Sequence, residues 1–302
     1  MITYRLNRHE YHVPDRWEDL VPSDNGKFIR VCQAFGLFET GKMDFRTMEV
    51  AVTSALLGLD ASMIPEQNDI LAENIYRLSE RMRFPYSFQD CEDGSRTVSV
   101  TIRLHENLLP SVRNWKGYVF HVSEDGIVDC NLTAEQYVDT LSLMDLYTRS
   151  RKTEILDSLF MTLYRRTGNR SSKSSSNSSK ITNRIPYGYK LAVYYNMRGI
   201  LEWIKTLPDF RIIFSSDGRK NKVTGSPLGI AGSIFTLSKS GYGTLQEIRN
   251  LDLMSYLGTL VQMNIDSIYS LHSVGLKPGE IADKMNLPLD CVLPYIVTDN
   301  QE

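Results

Sequence analysis

The sequence predicts an α+β protein that is predominantly helical, with two short β hairpins and a C-terminal three-helix module resembling a helix-turn-helix. Most apolar residues recur at spacings of three and four, which places them on one face of a helix. Two stretches, within residues 4–13 and 98–128, instead alternate apolar with polar residues as half-buried strands do. The last thirty residues carry two short helical stripes around a turn.

A helix pair in residues 129–166 is the clearest prediction. Thr133 precedes Glu135 and Gln136, whose acceptors suit the exposed N–H groups of a first helical turn. A polar break at residues 148–152 separates two apolar faces. The first face comprises Tyr137, Leu141 and Met144, and the second comprises Ile155, Leu156, Leu159, Phe160 and Leu163. Neither face carries a nucleophile, a base or a metal ligand.

Helical stripes also precede and follow this pair. Upstream, the three predicted faces are Phe28, Val31, Cys32 and Phe35; Met48, Val52, Ala55, Leu56 and Leu59, ended by Gly58; and Leu71, Ile75, Leu78 and Met82. Downstream, we predict helices over residues 191–204 and 253–271, with a strand-like segment at 210–214 between them. Each stripe is one-sided, so these helices are expected to share a core.

The two hairpins occupy comparable places in the chain. The first pairs the residues around Tyr4 and Leu6 with Tyr11 to Val13, and Pro14 ends it. The second turns at Glu124-Asp125-Gly126, after a strand that alternates from Val98 to Leu104 and a repeat of that pattern at residues 118–122. Hairpin, helix and second helix therefore recur about 105–110 residues apart, as either a faint duplication or a coincidence of element order.

Composition and charge exclude several classes of protein. The 302 residues are 42% hydrophobic and 23% charged, with a net charge of −2, so no overall field attracts nucleic acid or a membrane. The apolar runs are shorter than the roughly 18–20 residues that a bilayer requires. Four widely spaced cysteines without a CxxC motif indicate reduced, mostly buried thiols. We therefore expect a protein that acts inside the cell.

A basic, serine-rich segment interrupts the helices. Eight basic residues and no acidic residue lie between Ser158 and Leu201, and residues 171–179 read SSKSSSNSS. We predict a flexible loop at 167–183, because such a composition buries too little apolar area to order itself. The segment could dock onto phosphate or an acidic partner, or it could be a solvated loop.

These observations divide the chain into five predicted units. They are an N-terminal hairpin and helical unit (1–90), a second hairpin and helix-pair unit (91–166), the basic loop (167–183), a helical assembly unit (184–271) and the C-terminal helix-turn-helix-like module (272–302).

No motif predicts catalysis or a cofactor. His9 and His12 lack carboxylate or cysteine partners at metal-ligand spacing, and His105-Glu106 and His121 lie on strand edges, so no three or four ligands converge on one point. There is no G-x-S-x-G elbow, no phosphate-binding G-x-x-x-x-G-K-[ST] loop and no G-x-G-x-x-G dinucleotide fingerprint. We therefore predict no catalytic residues, no metal site and no cofactor, although an enzyme of a class without a short motif remains an alternative.

The C-terminal module could bind DNA or serve packing and partner binding. Its helix-turn-helix rhythm runs through Gly275, Ile281-Ala282 and Leu287. Lys277 and Lys284 are the candidate nucleic-acid contacts. The second helix, PLDCVLPYI, carries Asp290 and Pro294 but no Lys or Arg, which a groove-reading helix needs. Packing or partner binding is therefore the preferred hypothesis, and a DNA-binding regulator is the alternative.

Several short runs resemble virion-assembly proteins of Bacteroides-type tailed phages. They are L-T-A-E-Q-Y-V-D (132–139), Leu159 followed by Leu163-Tyr164-Arg165, V-P-D-R-W-E-D-L (13–20) with a later L-L-G-L-D (56–60), and a basic loop with Tyr187 and Tyr189. The stretch from Ile234 to Leu260 is similar to a helix–turn–helix pattern of tail-assembly chaperones. The Ser-rich loop and the C-terminal module depart from this pattern.

The resemblance implies a mostly helical, non-enzymatic protein that holds another phage structural protein before or during assembly. It implies a protein-binding surface, which we place at Tyr164, Arg165, Tyr187, Tyr189 and Arg198, because aromatic and Arg side chains commonly anchor such contacts. The alternative is that these aromatics close the core over the loop. The expected site of action is the bacterial host cytoplasm or the virion. Self-association is a further expectation, and neither nucleic acid nor a membrane is an expected partner.

Overall fold

The computed structural model describes residues 1–6, 9–59, 69–91, 93–167, 184–215 and 231–296. Within these ranges the chain is α+β and predominantly helical, as the sequence predicts. The helices are α1 (Asn25–Glu39), α2 (Phe45–Leu57), α3 (Asp69–Ser79), α4 (Ala134–Ser150), α5 (Thr153–Leu163), α6 (Tyr187–Ile204), α7 (Arg211–Phe214), α8 (Ala231–Lys239), α9 (Leu245–Asn250), α10 (Leu253–Ser273), α11 (Pro278–Met285) and α12 (Leu293–Ile296).

The strands are short and pair antiparallel with near neighbours. They are β1 (Ile2–Leu6), β2 (His9–Val13), β3 (Tyr86–Asp90), β4 (Arg96–Val100), β5 (Ser111–Val112), β6 (Trp115–Lys116), β7 (Phe120–Val122), β8 (Val128–Cys130) and β9 (Arg165–Arg166). The pairs β1–β2, β3–β4 and β7–β8 form two-stranded sheets, and β6 lies between β5 and β9. The predicted hairpins correspond to β1–β2 and β7–β8, whereas β3–β4 and the three-stranded sheet were not predicted.

The predicted strand from Val98 to Leu104 is only partly a strand. Strand β4 ends at Val100, yet Ile102 and Leu104 remain buried as the alternation predicts. Beyond Val100 the chain crosses helix α6, and the Leu104 N–H donates to the carbonyl of Gly199 at 3.0 Å. A Cβ atom at Gly199 would lie 2.8 Å from the Leu104 side chain, so glycine permits this crossing.

The predicted helix pair is confirmed as α4 and α5. Thr133 caps α4: its hydroxyl accepts from the Gln136 N–H at 3.2 Å, and the Gln136 side chain accepts from the Thr133 N–H at 3.1 Å. This reciprocal arrangement satisfies two N–H groups that a helix start leaves unpaired. All five residues of the second predicted face are buried.

Helix α6 lies at the centre of the molecule. It begins at Tyr187, four residues before the predicted start, and packs against α1 and α5. Its buried residues lie on all sides of the helix, and they include the polar Lys190 and Asn196. A helix buried all round must find partners for such polar side chains inside the protein.

Asn196 is the centre of a buried hydrogen-bond network. Its Nδ2 donates to Asn107 Oδ1 at 3.0 Å and to the Tyr118 hydroxyl at 2.7 Å. Its Oδ1 accepts from the Leu108 N–H at 3.0 Å, and Asn107 Nδ2 donates to the Tyr118 carbonyl at 2.7 Å. The network therefore fixes the irregular segment after residue 104 against α6.

The main hydrophobic core runs from Val13 to Leu257, so residues of the predicted units 1–90, 91–166 and 184–271 share it. A second, smaller core joins the end of α10 to α11 and α12. Its buried residues are Ile212, Ile268, Ile281, Ala282, Leu287, Val292 and Ile296. The described part of the C-terminal module, residues 272–296, contains α11 and α12, which pack with the end of α10 and with Ile212 of α7.

The prediction of a strand-like segment at 210–214 is wrong. Residues 208–210 form a 3-10 turn, and α7 follows it directly. Phe210 and Ile212 are buried, so their two-residue spacing is compatible with a strand. The spacing does not reveal that Pro208 starts a helical turn, or that both short elements pack against α10.

In the part of the chain that the structure describes, no helix combines the length and the apolar character needed to cross a membrane. Apart from Thr167, the predicted basic loop lies outside the described residues.

We expect Asn196→Ala to lower the free energy of unfolding by about 2–3 kcal/mol, because it leaves buried donors and acceptors without partners. Urea denaturation followed by circular dichroism measures this change. Asn264→Ala is the matched control, since that side chain is half-buried and donates only to Leu260 of its own helix. Equal effects of the two substitutions would contradict a special role for the network.

The four cysteines, all free thiols, are expected to differ in reactivity. Hydrogen bonding with Thr97 lowers the pKa of Cys91, while burial raises the pKa of Cys130 to about 11 and that of Cys32 well above its ordinary value. Ellman's reagent at pH 8 should therefore modify Cys91 first, and Cys91→Ser should abolish the fast phase. A fast phase that survives this substitution would contradict the assignment.

Candidate functional site

An open groove of about 710 Å³ lies between helices α4, α6 and α10. Helices α7 and α8 contribute Ile213, Phe214 and Ser233, and the C-terminal ends of α1 and α4 contribute Glu39 and Arg151. We call this feature the α4–α6 groove. The remaining lining residues are Tyr137, Leu141, Met144, Asp145, Thr148, Tyr194, Arg198, Leu201, Glu202, Lys205, Tyr256, Leu257 and Leu260.

Two helices line the groove with stripes of the same spacing. On α4 the stripe is Tyr137, Leu141, Met144, Asp145 and Thr148, and on α6 it is Tyr194, Arg198, Leu201, Glu202 and Lys205. Each stripe follows offsets of 4, 7, 8 and 11 residues, which keep side chains on one face over three helical turns. The groove therefore has the length of a short helix.

Helices α4 and α10 start side by side at the base of the groove. Thr133 and Asp252 form an antiparallel β-bridge. The Ala134 N–H donates to the Leu251 carbonyl and the Leu253 N–H donates to the Leu132 carbonyl, each at 2.8 Å. Thr133 also caps α4, and Asp252 caps α10. The rings of Tyr137 and Tyr256 then meet edge to face, with centroids 6.0 Å apart.

One carboxylate holds two arginines at the groove. Glu39 Oε1 accepts from Arg198 Nη1 at 2.7 Å, and Glu39 Oε2 accepts from Arg151 Nη1 at 3.0 Å. The Tyr195 hydroxyl also donates to Glu39 Oε2 at 3.0 Å. The Arg198 Nη2 donates to the carbonyl of Val100 at 3.2 Å. We call Glu39, Arg151, Tyr195 and Arg198 the Glu39 cluster.

The protonation states in the Glu39 cluster follow from its burial and charge. Burial raises the pKa of Tyr195, and the neighbouring Glu39 raises it further, so the hydroxyl stays protonated and donates. Burial opposes the charge of Arg198, but Glu39 outweighs this effect and the pKa of Arg198 is raised. The cluster therefore carries one negative and two positive charges.

Arg151 has a left-handed backbone conformation, with φ at 55°. It ends helix α4, at a position where glycine or asparagine is usually found because a Cβ atom disfavours this conformation. Its guanidinium reaches Glu39 and lies 5.6 Å from the Tyr147 ring centroid. The contacts of its side chain, rather than the backbone conformation, therefore explain why an arginine occupies this position.

The other charged groove residues are paired with neighbours on their own helices. Asp145 pairs with Arg149 at 2.9 Å, and Glu202 pairs with Lys205 at 2.7 Å. These are exposed pairs that contribute little to stability. Asp145 and Glu202 are thus balanced by these basic partners, and the Glu39 cluster keeps one net positive charge.

The structure places the five residues predicted to form a protein-binding surface in different environments. Tyr164 is 1% exposed, and its hydroxyl donates to the Leu109 carbonyl at 2.6 Å, so its side chain belongs to the core. Tyr189 is half-buried, whereas Arg165 and Tyr187 are exposed. Arg198 lines the groove as part of the Glu39 cluster.

The basic segment is less of a surface patch than the sequence suggests. Lys190 is 5% exposed and forms an ion pair with Asp157 of α5. Arg198 pairs with Glu39, while Arg165, Arg166 and Arg184 are exposed. Arg170, Lys173 and Lys180 lie outside the described residues. Of the eight basic side chains, the structure therefore places Lys190 in the interior and Arg198, partly exposed, on the wall of the α4–α6 groove.

The C-terminal module presents few basic groups. Lys277 and Lys284 are exposed at the two ends of α11. The short helix α12 carries no Lys or Arg, and Asp290 just before it pairs with Arg211. Its buried residues pack into the second core, which is consistent with the preferred hypothesis of packing or partner binding.

Within the described ranges, no three His, Cys, Asp or Glu side chains are placed to hold a metal ion together. His121 Nδ1 lies 3.3 Å from Glu106 Oε1, between facing β-bridge residues.

Sequence reasoning missed Glu39 and Arg151, and it did not identify the groove. The matching stripes of α4 and α6 are visible in the sequence and could have indicated a shared feature. The left-handed conformation at Arg151 has no sequence signature, because the residue type there contradicts the usual preference.

Comparisons with protein-family models, with curated proteins and with solved structures found no match to this chain.

We expect Glu39→Gln to lower the free energy of unfolding by on the order of 2 kcal/mol, less than for a fully buried pair, because two partly exposed guanidinium groups lose their counter-charge. Thermal and urea denaturation measure the change. Glu202→Gln is the matched control, since its pair with Lys205 is 47% exposed on both sides and should contribute little. A similar loss in both variants would contradict the importance of the Glu39 cluster.

Proposed function

We propose that this chain is a non-enzymatic phage assembly protein that binds another phage structural protein in the α4–α6 groove. It acts either as a tail-assembly chaperone or as a component of the head, neck or tail. The observation that carries the proposal is the groove itself: an open concavity with an apolar lining and a charged end, built from several helices.

The lining of the groove suits a protein partner. Leu141, Leu260, Ile213 and Phe214 are only partly buried, so apolar surface stays accessible in the free protein. Removing such surface from water is the main driving force of protein association. Apolar grooves between helices are a recurrent site for an amphipathic helix of a partner.

The stretches that resemble phage assembly proteins also supply the groove. Residues 132–139 contain the cap and first turn of α4, with Tyr137 on the lining. Residues 234–260 span most of α8, all of α9 and the start of α10, and they contribute Tyr256, Leu257 and Leu260. The resemblance and the geometry therefore support the same surface.

The proposed site of action is the bacterial host cytoplasm, where a phage structural protein is held before assembly. Retention in the mature virion and self-association are further parts of the proposal. Binding of duplex DNA through Lys277 and Lys284 is the alternative outcome of the test below.

The test compares two variants of α4 that carry the same substitution. Leu141→Glu places a charge in the groove, whereas Leu146→Glu changes a residue of the same helix that is 50% exposed and does not line it. The tagged full chain and both variants are purified from the native host during phage production, and retained proteins are identified by mass spectrometry.

We expect the full chain and Leu146→Glu to retain one phage structural protein. Leu141→Glu should retain at most about 10% as much of it, because partner binding would bury the new carboxylate without a counter-charge. Mixing the purified partner with each variant then checks direct binding. Equal retention by Leu141→Glu, or no structural partner, would overturn the proposal. Duplex binding that weakens steeply with salt would favour the DNA-binding alternative.

A further inference from the structure

We infer that the groove recognises an amphipathic helix of about three turns that carries a carboxylate at one end, and that Arg151 and Arg198 bind this carboxylate. The inference rests on the proposed function and specifies the chemistry of the partner. It assigns to the Glu39 cluster a role in recognition besides its role in the fold.

The first argument is the charge of the cluster. Glu39 neutralises only one of the two guanidinium groups, so one positive charge is left over. Each guanidinium carries five N–H donors. Glu39 takes one donor from each, and the Val100 carbonyl takes a second from Arg198. Both side chains remain about 30% exposed and line the groove, so donors are left for a further anion.

The second argument is the backbone of Arg151. A non-glycine residue in the left-handed region is disfavoured, and glycine or asparagine would end the helix with less strain. Arg151 adopts this conformation, and its guanidinium lines the groove and shares Glu39 with Arg198. Glu39 then holds both groups in position before any partner binds. Such fixed donors suit a carboxylate, which accepts paired N–H bonds.

The third argument is the length of the groove. The stripes from Tyr137 to Thr148 and from Tyr194 to Lys205 each span twelve residues, a rise of about 16 Å along the helix. Three turns of an amphipathic helix present apolar anchors at this spacing. Thr148 and Tyr194, whose hydroxyls lie 3.1 Å apart, join the Glu39 cluster at one end. The carboxylate of the bound helix therefore lies at that end, with apolar side chains along the rest.

The charged residues elsewhere on the lining are consistent with this polarity. Asp145 and Glu202 are acidic, but each has a basic partner one turn away. An acidic group on the bound helix is therefore not repelled by an unpaired carboxylate of the lining, and Arg151 and Arg198 are the basic groups that it can pair with.

The experiment uses a displayed library of 16-residue helical peptides, selected on the immobilised full chain. Binding of each selected peptide is measured by fluorescence anisotropy, beside a version in which its acidic residue is replaced by the corresponding amide. Both peptides are tested against the full chain, Arg151→Asn and Leu141→Glu. Asparagine tolerates the left-handed backbone, so Arg151→Asn removes the charge without adding strain.

Arg113→Asn is the matched control. Arg113 also has a left-handed backbone, with φ at 54°, but it lies outside the groove and donates to the carbonyl of Arg184. Thermal denaturation of each variant checks that it is folded. Arg198→Gln serves as a second test of the carboxylate contact.

We expect Arg151→Asn to lower the affinity for the acidic peptide roughly tenfold and the affinity for the amide peptide less than twofold, because one charge-assisted hydrogen bond to the carboxylate is lost. Arg113→Asn should change neither affinity. A selected peptide binds in the groove if Leu141→Glu abolishes its binding. If such peptides keep the same affinity after the acid-to-amide change, this inference is overturned while the proposed function stays intact. If no selected peptide is lost with Leu141→Glu, the proposed function fails together with the inference.

Discussion

The burial of helix α6 is the constraint on which the rest of the structure depends. Most of the helix is buried, yet it carries the polar Lys190 and Asn196 in the interior and Arg198 on the wall of the α4–α6 groove. Each polar side chain in the interior must find a partner, because an unpaired buried charge or amide costs several times what a hydrogen bond contributes. Asp157, Asn107 and Glu39 supply those partners from α5, from the irregular segment after β4 and from α1. Packing and polar pairing therefore fix the same set of elements around one helix.

The pairing at Glu39 has a consequence for binding. Arginine side chains have many rotamers, and ordering them on association reduces affinity. Here Glu39, Tyr195 and the Val100 carbonyl already restrict Arg198, and Glu39 with the Tyr147 ring restricts Arg151. The two guanidinium groups are therefore ordered in the free protein. An interaction that stabilises the fold also prepares the groove for an anionic group.

Sequence periodicity predicts those features of the fold that depend on residues close together in the sequence. The faces of α1 and α5 were predicted residue by residue, because offsets of three and four determine which side of a helix is buried. Partners distant in sequence are not encoded this way. Arg198 and Glu39 are 159 residues apart, so counting charges placed Arg198 in a surface patch. The matching stripes of α4 and α6 were present in the sequence, but only packing shows that they line one groove.

Helices α4 and α10 are held together where both begin, at the base of the groove. The bridge between Thr133 and Asp252 fixes the two helix starts, and the Tyr137 and Tyr256 rings meet one turn later. Two aromatic rings with centroids 6.0 Å apart hold the helix axes farther apart than small residues would. Beyond Tyr137, the stripe of α4 lines the groove. A pair of tyrosines thus lies at the base of the apolar surface that the Glu39 cluster bounds at its other end.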